Sequence, residues 1–63
     1  MHIRPSELRV VECAAKGMTI KETADKLKIT SFTVSVYRYH AVKRNGLASM
    51  TQLVYILSKM EMI

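Results

Sequence analysis

Hydroxyls, aromatic rings and cations crowd into one stretch of this chain, where Phe32, Thr33, Ser35, Tyr37, Arg38, Tyr39, His40, Lys43 and Arg44 lie with no Gly, Pro, Asp or Glu between them. Wound at ~100° per residue, Val34, Tyr37 and Ala41 point one way, with Asn45 at the end of their row, while Phe32, Ser35, Val36, Tyr39 and Lys43 point the other. The first set is apolar and suits a core. The second mixes hydroxyl, ring and aliphatic groups and ends in a cation, a surface suited to polar edges and negative charge. Arg38 sits at the border of the two faces, and His40 lies one turn beyond Val36, where an imidazole can meet a phosphate. The whole chain carries 10 Lys and Arg against 5 Asp and Glu, a net charge of +5. Every acid except Glu61 lies at or before Asp25, so residues 26–60 hold Lys26, Lys28, Arg38, Lys43, Arg44 and Lys59 unopposed. That asymmetry implies a polyanionic partner.

Other chemistry is poorly supplied. Cys13 is the only cysteine, which excludes an internal disulfide and a thiolate zinc site; it reads as a small buried residue of the first helix. His2 is the only fellow of His40, so no metal constellation forms. With neither a phosphate-cradling Gly-rich loop nor a nucleophile paired with a base, the expectation is no enzyme, no cofactor and no small-molecule ligand. Met1 is read as the initiator and the remaining methionines as gap-filling core or interface. The longest apolar run, residues 53–57, is far short of the ~20 residues that span a bilayer. No secretory leader opens the chain, so a cytoplasmic location is expected.

These residues are carried by helices separated by short breaks, and the expected class is all-α. Pro5 fits a first helical turn and Gly17 a stop, giving a helix over 5–16 with Leu8, Val10, Val11, Ala14 and Ala15 as its apolar stripe. Thr19 with Glu22 forms a capping box for a second helix over 20–27, which should bury Ile20, Ala24 and Leu27. Thr30 caps a third over 31–44, closed by Asn45-Gly46. Ser49 with Gln52 opens a fourth over 50–61. A short helix, a tight turn and a longer helix in such a setting make a helix-turn-helix, whose second helix fits the ~12 Å major groove.

From Ile3 to about Leu57 the sequence resembles the DNA-binding domain of the LuxR/GerE family of bacterial transcription regulators. The resemblance is carried by Pro5, Glu7, Val10, Ala15, Gly17, Lys21-Glu22, Ala24, Leu27, Ile29, Thr33-Val34, Gly46 and Thr51-Gln52, in order and without a gap. It implies a single four-helix domain over 1–63 that regulates transcription in a bacterial or phage cytoplasm. It further implies base reading by Ser35, Val36 and Tyr39, and backbone contacts from Lys21, Thr33, Lys43 and Arg44, to which Arg38 and His40 are added on the helical count. Ser35 stands where similar domains usually carry Lys or Arg, Tyr39 where they carry a polar or basic residue, Ala41 where a larger aliphatic is common and Asn45 where Leu is common. Val36 can pack on a thymine methyl and Ser35 can bond to several bases.

The fourth helix has a second apolar stripe. Met50, Leu53, Val54 and Leu57 close the core; Ile56, Met60 and Ile63 fall on an adjacent stripe that shares Leu53. The expected use of Leu53, Ile56, Met60 and Ile63 is a homodimer interface, which similar domains also place on this helix, and which predicts two DNA half-sites. The competing function is a protein-interaction module of the same fold that pairs with a larger regulator; Ser35 favours it and the unopposed basic charge of residues 26–60 disfavours it.

Overall fold

The computed structural model describes residues 2–63; Met1 lies outside them. Among the described residues it is all-helical: α1 (Pro5–Ala15), α2 (Ile20–Leu27), α3 (Ser31–Arg44) and α4 (Met50–Lys59). The helices begin where their caps require. Thr19 Oγ1 accepts from the Glu22 N–H at 3.1 Å and Glu22 Oε1 accepts from the Thr19 N–H at 2.8 Å, closing the expected capping box. At α3 the Thr30 hydroxyl accepts from the Thr33 N–H at 3.0 Å. At α4 the reciprocal arrangement shifts by a residue: Ser49 Oγ accepts from the Gln52 N–H, but the Gln52 side chain takes the Ala48 N–H instead, at 2.9 Å. Between α2 and α3 the chain turns sharply through Lys28, which caps α2 at φ 58° and lets the Ile29 N–H reach the Ala24 carbonyl at 3.0 Å.

Two helix ends depart from expectation. α1 stops at Ala15 rather than residue 16, and α4 at Lys59 rather than residue 61. The reason at α4 is local: Glu61 takes a left-handed φ of 58°, and the Met62 N–H turns back to the Leu57 carbonyl at 3.0 Å. That reversal brings Ile63 onto the domain's own core.

The core is split by neighbouring side chains of α1. Val10 packs with Ala24 and Val34, against Leu27, Ile29 and Tyr37, and so fixes the α2–α3 corner. Val11 packs with Ala41, Val42, Leu53 and Leu57 and so seats α4. Cys13 is buried and free, as expected. Ile20, expected inside, is exposed; α2 instead buries Thr23 beside Ala24, and the Thr23 hydroxyl satisfies itself on the Thr19 carbonyl at 2.8 Å. Ala15 is exposed as well, and Glu7 is buried in the first turn of α1. No helix is long and apolar enough to cross a membrane among the described residues.

Candidate nucleic-acid interface

Because Val34 and Ala41 are fully buried and Val42 nearly so, the orientation of α3 is fixed, and its opposite face must stand in water. On that face Phe32 is 77% and Tyr39 60% exposed; Ser35 and Lys43 are exposed and Val36 is half-buried. The three residues expected to read bases therefore lie along one side of one rigid helix. Lys43 extends its ammonium over the Tyr39 ring, 5.9 Å from the centroid, and His40 meets the same ring edge-on at 6.0 Å. Tyr37, one turn from Val34 on the buried side, is half-buried against the α2–α3 corner.

The expected backbone-contact residues are not equivalent. Lys21, His40 and Lys43 are exposed. Thr33 is half-buried, and its hydroxyl shares a 2.9 Å hydrogen bond with that of Thr30. Arg44 is already engaged: its guanidinium donates to Glu7 Oε1 at 2.5 Å, and Glu7 has only 2% of its side chain exposed. Burial pushes the Glu7 carboxyl up; the Arg44 hydrogen bond, the Arg4 amide and the charges of both arginines outweigh it, so Glu7 stays below its usual carboxylate value. Arg38 departs further from expectation. It lies towards α1 and α4, half-buried in a groove with Ala14, Ala15, Met50, Thr51 and Val54, away from the face of Tyr39. The charge count foresaw a cation there, but its direction follows from Val34 and Ala41 packing inward beside it.

A cationic flank that sequence reasoning missed adjoins this face. The segment 2–4 is pinned to the end of α3 by Asn45, whose Oδ1 accepts from the His2 N–H at 2.7 Å while its Nδ2 donates to the His2 carbonyl at 2.9 Å and the Ala41 carbonyl at 2.7 Å. His2, Ile3, Arg4 and Arg44 then line an open groove of about 360 Å³, which shares Arg44 with a smaller one lined by His40 and Lys43. Asn45, where Leu is common in similar domains, is the sole advance sign of this arrangement.

On α4, Leu53 is fully buried inside its own domain, which removes it from any surface, because Val11, Ala41 and Leu57 already surround it. Ile63 is half-buried on the same core, Ile56 is half-buried, and Met60 remains 50% exposed.

Compared with known proteins, residues 5–61 match the family model GerE, described as bacterial regulatory proteins of the luxR family. No curated protein and no solved structure matches the chain.

Proposed function

The chain belongs to the luxR family of bacterial regulatory proteins, and from that membership and the surface of α3 we propose that it regulates transcription by sequence-specific binding of duplex DNA as a homodimer. The observation that carries the proposal is the solvent face of α3, where Phe32, Ser35, Val36, Tyr39 and Lys43 are gathered without one acidic side chain on the helix. α3 enters the major groove, and Ser35, Val36 and Tyr39 meet base edges. Lys43 and His40 on one side, and Lys21 at the start of α2, hold phosphates, and Arg4 with His2 extends the clamp beyond α3. Arg44 serves this surface at second hand, by neutralising Glu7 beside it. A second copy joins through Ile56 and Met60 of α4, so that two α3 helices address half-sites about 34 Å apart.

Selection of bound sequences from a random duplex pool tests binding, specificity and half-site symmetry together. An inverted repeat with two half-sites one helical turn apart is the expected product. On that site Tyr39→Ala should cost on the order of 1–3 kcal/mol, and much less on random duplex. A pool that comes through unenriched, with binding insensitive to salt, overturns the proposal.

A further inference from the structure

We infer that Phe32 is itself a reading residue, and that the half-site it reads is recognised through the methyl groups of thymines rather than through guanine. The inference rests on the duplex-binding proposal and sharpens it by naming the class of sequence bound. Phe32 is 77% exposed, more than any other large apolar side chain among the described residues. Among the described residues it belongs to neither core cluster, and the cap that starts α3 is made by Thr30 and Thr33 on either side of it.

Its direction is as informative as its exposure. Phe32 and Tyr39 are a heptad apart and so differ by only about 20° around the helix, with Val36 one turn from Phe32 on the same side. Along the axis Phe32 and Tyr39 are separated by about 10 Å, the rise of roughly three base pairs. Phe32 lies in the first turn, the end of a groove-entering helix that meets bases. The face is thus a row of apolar surface, ring and methyl groups, where it would touch the floor of the groove.

Guanine is read by a cation that forks onto its acceptors. The cations of α3 are placed elsewhere: Arg38 faces the α1–α4 groove, Arg44 holds Glu7, and Lys43 lies at the far end over the Tyr39 ring. Thymine is the base that presents an apolar group in the major groove, so Phe32 and Val36 have one natural counterpart there. Ser35, between them, supplies a hydroxyl able to donate to or accept from the neighbouring edges.

The test replaces each thymidine of the selected duplex, one at a time, by deoxyuridine, which removes a single methyl and leaves every hydrogen-bonding group in place. Wild-type protein should lose about fourfold in affinity at one or two positions in each half-site, the effect of one buried methyl. Phe32→Ala, with circular dichroism and melting like wild type, should bind the thymine duplex more weakly and be indifferent to uracil at one of those positions; Phe32→Leu should keep part of the discrimination. Undiminished uracil discrimination in both variants overturns the inference and leaves duplex binding standing. So does a half-site read at guanines with uracil tolerated throughout, or unchanged duplex affinity in Phe32→Ala, which would assign the ring to a protein partner. Wild type that retains no duplex at all overturns both readings.

Discussion

Arg44 ties the end of α3 to the first turn of α1. Read along the helix it is a phosphate ligand beside Lys43; in the fold it is the counter-ion of Glu7, 2.5 Å away, and has about a third of its side chain exposed. Removing it strands a carboxylate inside the domain, so Arg44→Ala should lose about 2 kcal/mol of folding stability, less than the ~3–5 kcal/mol of a fully buried pair because water still screens the guanidinium. Lys43→Ala, whose side chain stands on the exposed face of α3, should leave melting unchanged and lower the slope of log affinity against log salt by about one. The same pair sets an acid limit. Glu7 has a folded value below the 4.5 of an ordinary glutamate, so the unfolded chain binds the extra proton in that interval. Stability from Glu7 is therefore complete above the unfolded value and drains away as pH falls through the folded one. Glu7→Gln should flatten this acid limb in chemical denaturation measured from pH 6 to pH 2. Part of it should persist through Glu22, which the Thr19 amide and then the Thr19 hydroxyl hold below its ordinary value. An unaltered limb would show that Glu7 titrates alike in both states.

Helices were legible because their ends are written in local chemistry. Thr19-Glu22, Thr30 and Ser49 start α2, α3 and α4 by bonds that reach only three residues along the chain, and Gly17 and Gly46 take the positive φ that follows α1 and α3. The faces of α3 were legible for the same reason, since Val34 and Ala41 announce the buried side. What escaped depends on partners far along the chain: Glu7 meeting Arg44, Asn45 holding His2, and Ile63 folding back past Glu61. A helical count gives direction relative to one axis and says nothing of which neighbour waits there; hence Arg38, placed at the border of two faces, proved to fill a groove beside α4. The turn between α2 and α3 carries a prediction of its own. Lys28 adopts a left-handed conformation at the C-cap of α2, where a Cβ is strained and Gly is the usual solution. Lys28→Gly should raise stability by about 0.5–1 kcal/mol in urea denaturation, with the slope of the transition unchanged. A loss of stability would mean that the Lys28 side chain contributes more than its backbone costs.

At the scale of the whole molecule the difficulty is size. Chains of about this length seldom gain more than ~3–5 kcal/mol from a single core, and here much of the interior is Val, Ala and Thr. Meanwhile α4 leaves apolar surface uncovered: Met60 is 50% exposed, Ile56 is half-buried, and Met62 beyond the helix is 38% exposed. Leu53 and Ile63 give most of their surface to the domain itself, which narrows the proposed interface to Ile56 and Met60 and makes it easier to test. A two-fold axis beside α4 would bury each Ile56–Met60 edge against its copy, adding core that one chain lacks and setting the spacing of two α3 helices. Ile56→Glu with Met60→Glu places carboxylates on both sides of that axis while leaving Leu53 and Leu57 untouched. The double variant should sediment as a monomer, lose operator affinity sharply, and keep weak, salt-sensitive binding to random duplex, because Lys21, His40 and Lys43 belong to each domain separately. Its affinity for an isolated half-site should equal that of wild type. Wild-type protein that sediments as a monomer at tens of micromolar and binds one half-site as tightly as two would exclude the dimer, and the Ile56–Met60 edge would then need another partner.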